Sequence, residues 1–299
     1  MRKITIVSGK GGVGKSMLTS SLAVLLAKQH KIIAVDCDVD APNLGLSLGL
    51  EDSDYHSWYG VTTNEKAELI ADKCTGCGKC TDVCAFGAVR WNEKIQKPVF
   101  DSLFCEGCGA CLLVCNENAI RLKKVKNARI GIGKTKHGFA IVTGQLKMGE
   151  SGSGKVVFMV KNKAEEIGKK EKSALMLIDA AAGIGCPVIA SVQGSEYVIA
   201  VTEPTPSALD DVKRVLSVVQ HFGIACGLVI NKFDLNRKFS KKIEAFAKSN
   251  NIQLLGRIPY DRKFVDAVVN LKPVVVYDKR FVGIFKGILD RLDIDSFRG

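Results

Sequence analysis

The stretch "ITIVSGKGGVGKS", Ile4 to Ser16, joins a four-residue apolar run to a glycine-rich segment that closes on lysine and serine. Gly9, Gly14, Lys15 and Ser16 match G-x-x-x-x-G-K-[S/T], and Met17 to His30 carries the apolar periodicity of a helix. Strand, glycine turn and helix in that order are the context a phosphate-binding loop requires. The glycines let successive backbone N–H groups turn toward phosphate oxygens, Lys15 reaches the β- and γ-phosphates, and the Ser16 hydroxyl ligates Mg²⁺. Gly11, Gly12, Val13, Gly14, Lys15, Ser16 and Met17 are therefore the expected nucleotide cradle. One lysine suffices for that purpose, so Lys10 needs a separate account.

Beyond this loop, short apolar runs alternate with amphipathic stretches: "IIAVD", "ALMLID", "YVIAVT", "GLVIN" and "LLGRIP", with helical patterns over Ser207 to Phe222 and Ser240 to Asn250. Several runs are continuous, as in parallel strands covered on both faces, which predicts a doubly wound α/β sheet. The longest apolar stretches, "LMLI" and "PVVVY", are strand-sized and fall short of the roughly 20 residues needed to span a bilayer. "MRKITIV" runs straight into the glycine loop instead of a secretory leader, so the expected compartment is the cytoplasm.

One tract breaks the rhythm. From Glu65 to Lys123 the chain is dense in cysteine and glycine and repeats at an offset of 31 residues: Cys74, Cys77, Cys80 and Cys84 map onto Cys105, Cys108, Cys111 and Cys115. "AVR" after the first set recurs as "AIR" after the second. This predicts one small doubled unit, 65–123, inserted into a larger domain formed by 1–64 and 124–299. The insert carries eight Lys/Arg and eight Asp/Glu, so the formal net charge of +12 is expected on the α/β body, where it favours an acidic partner. Glycine-rich segments "RIGIGKTKHG" and "KMGESGSGK" follow and read as mobile or nucleotide-dependent loops. Gly149 to Lys155 also fits the phosphate-loop spacing. Val156 stands where the hydroxyl should be and no strand is predicted before it, so it reads as a surface loop.

With Lys10 counted, the loop reads K-G-G-x-G-K-S and resembles the MinD/ParA superfamily of P-loop ATPases, which includes the nitrogenase iron protein. The resemblance covers nearly the whole chain and implies an ATP-dependent homodimer in which Lys10 crosses to the nucleotide of the other subunit. Its physical logic is that of an arginine finger, a cation delivered to developing phosphoryl charge on closure. In "VDCDVDAPNLG", Asp36 and Asp38 resemble the superfamily's D-x-D switch, with Asp38 orienting the attacking water and Asp36 supporting Mg²⁺; Asp40 is a further acid nearby. "LMLIDAAAGIG" resembles the second nucleotide motif, with Asp179 in the metal shell and a glycine switch at Gly183 and Gly185. Asn231, Lys232 and Asp234 imitate the guanine-reading N-K-x-D of GTPases. In MinD-like proteins the asparagine binds adenine, with backbone near an "IP" such as Ile258 and Pro259. The two-lysine loop favours ATP.

Eleven cysteines in a chain of this kind point to metal before disulfides. Two C-x2-C-x2-C-x3-C runs resemble the bacterial ferredoxin with two [4Fe-4S] clusters, in which the fourth cysteine of each run ligates the other cluster. That resemblance implies one cluster on Cys74, Cys77, Cys80 and Cys115 and another on Cys105, Cys108, Cys111 and Cys84. Ala85 and Asn116 replace the family's proline after the fourth cysteine and remove no ligand. Zinc is the alternative occupant. Cys37 and Cys226 are expected in the core. Cys186 stands about where the nitrogenase iron protein carries a bridging-cluster ligand, but no second candidate stands in the "GESGSGK" region before Asp179, and it reads as a packed loop thiol.

Together these parts imply an ATPase whose closure gates electron transfer through two clusters to a redox partner protein. A cluster carrier for other apoproteins is the alternative, and a MinD/ParA-like positioning ATPase the third. For the third, Phe281, Ile284, Phe285, Ile288 and Leu292 with Lys279, Arg280, Lys286 and Arg291 form either a membrane-surface helix or the last helix covering the sheet. No recognition helix or aromatic platform speaks for nucleic acid.

Overall fold

A computed structural model describes residues 1–292. Its strands are β1 (Arg2–Ser8), β2 (Ile32–Cys37), β3 (Tyr55–Val61), β4 (Asn64–Leu69), β5 (Val89–Asn92), β6 (Lys97–Phe100), β7 (Ile120–Val125), β8 (Ala128–Lys134), β9 (Ala140–Leu146), β10 (Leu175–Ala182), β11 (Tyr197–Thr202), β12 (Ala225–Asn231) and β13 (Gln253–Ile258). The helices are α1 (Lys15–Leu26), α2 (Leu44–Ser47), α3 (Lys79–Asp82), α4 (Ala110–Leu113), α5 (Ser153–Glu171), α6 (Cys186–Val192), α7 (Pro206–His221), α8 (Arg237–Ser249), α9 (Arg262–Val269), α10 (Val274–Tyr277) and α11 (Val282–Leu292).

Nine strands form one sheet in the order β13-β12-β11-β1-β10-β2-β9-β8-β3, and the seven from β13 to β9 run parallel. β1 lies between β10 and β11, where the chain reverses its direction of winding, and such a switch point opens a crevice at the carboxyl ends of the strands. Leu18 and Leu22 of α1 and Phe285 and Ile288 of α11 fill one face of the sheet. Val188 and Val192 of α6, Val212 and Leu216 of α7 and Ile243 of α8 fill the other. The continuous apolar runs are therefore buried on both faces, which is why they do not alternate.

The chain divides into two compact units. One comprises 1–58, 130–145 and 153–299, the other 59–129 and 146–152. Residues 65–123 lie inside the second unit, which also holds Lys124, Lys126, Arg129 and Lys147. It thus has twelve Lys/Arg against nine Asp/Glu, and three of the twelve formal positive charges belong to it instead of to the α/β body. In this unit β4 pairs antiparallel with β7 and β5 with β6.

Four local expectations change. "RIGIGK" is strand β8 and not a mobile loop, because Gly131 makes room for the Trp58 ring and Gly133 for Leu50 and Tyr55. "PVVVY" is not a strand. After Pro273 the amides of Val276 and Tyr277 both donate to the Pro273 carbonyl, closing the single turn α10 while Val274 and Val275 enter the core. Strand β9 does lead into the Gly149–Lys155 loop, yet the Asn127 side chain holds that loop: Nδ2 donates to the Ser151 carbonyl at 2.9 Å and to Thr63 Oγ1 at 2.8 Å. Finally, α11 buries Phe285, Ile288 and Leu292, with Phe281 before it, against the sheet. Its apolar face is spent on the core, so the membrane-surface reading of this helix is withdrawn. No described helix is long and apolar enough to cross a membrane.

Candidate nucleotide and cluster sites

Parallel pairing sets Asp179 of β10 directly beside Asp36 of β2 and beside Ile6 of β1, so three strand ends converge where the glycine loop leaves β1. Gly9 sits so close to Asp211 of α7 that a side chain at this position would collide with its backbone. Gly14 adopts φ 97° and precedes α1 without a side-chain cap, leaving the first-turn N–H groups of this helix to act as anion donors.

Lys15 is buried, with Nζ 3.2 Å from Asp179 Oδ1 and 3.8 Å from Asp38 Oδ2. Burial alone would depress its pKa, but Asp179, Asp38 and Asp36 outweigh this and raise it, so it remains a cation. Ser16 Oγ donates to Asp179 Oδ2 at 2.5 Å and Thr19 Oγ1 donates to Asp179 Oδ1 at 2.9 Å. Asp36 is fully buried; its oxygens accept from the amides of Asp38 at 3.1 Å and Leu44 at 2.8 Å. Desolvation, then the neighbouring Asp179, push its pKa up to about 8 against the pull of Lys15. Asp38 is mostly buried and its pKa is also raised, by burial first. Asp40 is exposed at the rim.

Ser16, Asp36 and Asp179 thus gather hydroxyl and carboxylate oxygens at one strand-end cluster, a hard-donor set suited to Mg²⁺, which uses one or two carboxylates and keeps waters and phosphate oxygens for the rest. Among the described residues no three His, Cys, Asp or Glu side chains are set to hold an ion by themselves.

A cavity of about 280 Å³ beside the loop is lined by Gly12, Gly14, Met17, Asn231, Pro259, Tyr260 and Phe264, among others. Asn231 Nδ2 donates to the Val13 carbonyl at 2.7 Å, tying the end of β12 to the loop. Asp234 Oδ1 accepts from the Tyr260 amide at 2.7 Å, a bond that ties the segment after β12 to the one after β13. The apolar wall suits a planar purine base, and Asp234 is not among the residues lining it. Lys10 bonds within its own chain, to Glu203 Oε1 at 2.8 Å. Thr19 and Glu203 were not singled out from the sequence. Thr19 was findable as the residue one helical turn after Lys15 on the same face; Glu203 has no local signal.

In the second unit, one cavity is lined by Cys74, Cys77, Cys80 and Cys115 and another by Cys84, Cys105, Cys108 and Cys111. These are the same two sets the ferredoxin resemblance implies. The doubled sequence folds as a doubled backbone: Gly76, Gly78, Gly107 and Gly109 have φ of 76°, 76°, 66° and 79°, and Gly78 and Gly109 cap the single turns α3 and α4. Cys105 Sγ accepts from the Ala67 amide and Cys115 Sγ from the Ala119 amide, each at 3.3 Å. Burial first, then neighbouring thiols, raise the pKa of Cys80 and push that of Cys111 up to about 11. All eleven cysteines are free thiols. Sulfurs grouped in fours around a cavity, with backbone N–H bonds to Cys105 and Cys115, fit a cationic inorganic cage bound as thiolates. Outside these sets Cys37 is buried, Cys226 is half-buried, and Cys186 opens α6 with an exposed side chain instead of packing in its loop.

Residues 4–274 match the model of the CobQ/CobB/MinD/ParA nucleotide binding domain family. The chain is 42% identical over 234 residues to an uncharacterised protein of Methanocaldococcus jannaschii, covering 78% of this chain and 79% of that one. It is 42% identical over 71 residues, 22% of this chain and 27% of the other, to a cytosolic Fe-S cluster assembly factor Nubp2 homologue of Anopheles gambiae. In fold it resembles the septum site-determining protein MinD of Pyrococcus horikoshii complexed with Mg-ADP, with a TM-score of 0.58 at 21% identity over 99% of this chain and 97% of that one.

Proposed function

Because this chain belongs to the CobQ/CobB/MinD/ParA nucleotide binding domain family, we propose that it is an ATP-hydrolysing iron–sulfur protein in which closure of an ATP-bound homodimer gates electron transfer to a partner protein. The observation that carries the iron–sulfur part is the division of eight cysteines into two cavities of four, each combining three ligands of one run with the last of the other. Two such clusters supply reversible one-electron storage.

The residues divide the work. The loop from Gly11 to Met17 presents N–H groups to phosphate, and Lys15, kept charged by its acidic neighbours, neutralises the β- and γ-oxygens. Ser16, Asp36 and Asp179 hold Mg²⁺, whose charge favours the ionised form of Asp36. Asp38, within 3.8 Å of the Lys15 ammonium, orients the attacking water, and Lys10 crosses to the partner's nucleotide. Asn231 and the backbone at Pro259 receive adenine. Cys74, Cys77, Cys80 and Cys115 bind one cluster as thiolates, and Cys84, Cys105, Cys108 and Cys111 the other.

Anaerobic purification followed by absorption and electron paramagnetic resonance tests the cluster assignment: two interacting [4Fe-4S] signals are expected, and no iron or sulfide after reconstitution would sink it. Reduction and reoxidation kinetics with and without ATP test the gate, and rates indifferent to nucleotide refute it. A second reading, cluster delivery to apoproteins, is favoured by the likeness to a Nubp2 homologue. Four ligands per cluster from one chain argue for retention. Transfer of labelled iron–sulfur to an apo acceptor, accelerated by ATP, would decide for delivery.

A further inference from the structure

Three adjacent strand ends bring charged side chains together above the phosphate loop. Lys10 follows β1, Glu203 follows β11, and Lys232 follows β12, with Val7 paired to Ala200 and Thr202 to Ile230 in the sheet between them. Glu203 uses both oxygens: Oε1 lies 2.8 Å from Lys10 Nζ and Oε2 lies 2.9 Å from Lys232 Nζ. Lys232, whose φ of 53° is unusual for a lysine, also donates from Nζ to the Gly12 carbonyl at 3.3 Å. The Glu203 side chain is only 15% exposed, so its charge is less screened than that of a surface carboxylate. The lysine expected to act on a second subunit is thus paired on its own.

We propose that Glu203 is a positioning residue that holds Lys10 on its own subunit, so that dimer closure requires Lys10 to exchange Glu203 for the phosphates of the partner subunit's nucleotide. Glu203 thereby sets the threshold of closure. This rests on the reading of Lys10 as a trans-acting cation. An equilibrium between held and crossing lysine is biased by the difference in its partners' attraction, and weakening one partner moves it toward the other. Lys232 bears on the same balance. From the other oxygen it partly neutralises the carboxylate that holds Lys10, and removing it leaves the charge of Glu203 wholly to Lys10.

The test is a double-mutant cycle on the full-length protein, read by the protein concentration at which half is dimeric with a non-hydrolysable ATP analogue, and by kcat and KM for ATP. Glu203→Gln should lower the dimerisation midpoint about three- to tenfold, as expected for loss of one partly buried ion pair, and raise kcat with KM little changed. Lys232→Met should raise the midpoint or leave it unchanged. In a Lys10→Ala background the Glu203→Gln effect should vanish.

An unchanged or higher midpoint for Glu203→Gln overturns the proposal, as does an effect that persists without Lys10. ADP affinity, which needs only one subunit's folded loop, should stay within about twofold in Glu203→Gln; its loss would mean that Glu203 shapes the loop itself, against the proposal. Lys10→Ala protein that still dimerises and hydrolyses like the parent would instead overturn the trans reading on which the proposal stands.

Discussion

Asn231 and Asp234 stand three residues apart in a segment that imitates a guanine-reading motif, and their hydrogen bonds separate them. Asn231 lines the base cavity and binds the Val13 carbonyl, whereas Asp234 accepts the Tyr260 amide. Asn231→Ala should therefore weaken ATP binding about fivefold to tenfold, the effect of roughly one net hydrogen bond, and Asp234→Asn should leave the preference for ATP over GTP intact. Isothermal titration with both nucleotides checks this, and a switch in preference on altering Asp234 would contradict it. A second residue-scale prediction concerns Lys161, buried on α5, whose Nζ donates to the carbonyls of Ala190, Ser191 and Gln193 at 2.7, 2.9 and 2.7 Å. It satisfies the carboxyl end of α6, the helix that follows the Gly183–Gly185 switch. Lys161→Met should cost about 2–4 kcal/mol in denaturant unfolding, because three carbonyls each lose a charged donor in a buried site.

Among the elements, the doubled cysteine unit offers an internal control. Gly107 and Gly109 both have positive φ, but a Cβ on Gly109 meets open space and one on Gly107 would strike the Glu65 carbonyl of β4. Gly109→Ala should cost about 1 kcal/mol of backbone strain, whereas Gly107→Ala must displace the strand whose Ala67 amide reaches Cys105. Iron retained after reconstitution should fall in the second variant and not in the first; equal retention would argue against β4 as part of the cluster wall. At the other end of the chain, α11 approaches β13 closely enough that Gly256 is needed beneath Ile288. Phe285→Ala should destabilise the α/β unit by about 3–5 kcal/mol, measured by chemical denaturation, as for a large core side chain.

At the scale of the molecule, two compact units of different chemistry share one formal net charge of +12, nine of it on the α/β unit and three on the cysteine unit. The redox partner proposed above, if acidic, should therefore associate at a rate that falls steeply between low and physiological salt, because charge steering is screened over a Debye length of about 8–10 Å. Stopped-flow reduction over a salt series checks this, and a salt-independent rate would remove electrostatics from partner choice. Reconstituted protein should hold about eight irons per chain, the content of two [4Fe-4S] clusters.

Much of this was legible without coordinates because it is periodic or local. The loop from Gly9 to Ser16, the parallel strands and the repeat of four cysteines are patterns in short windows, and backbone sterics, apolar burial and ligand spacing act over such distances. The strand identity of "RIGIGK" was not legible, since large neighbours far along the chain, such as Trp58 over Gly131, override local preference. The pairing of Glu203 with Lys10 spans 193 residues of sequence and exists because β11 lies beside β1 in the sheet. The amino-acid sequence by itself determined the phosphate loop, the sheet and the cysteine inventory. Tertiary structure alone decided which acid stands beside Asp36 and what Lys10 touches, because strand order and helix packing, not spacing, bring those groups within bonding distance.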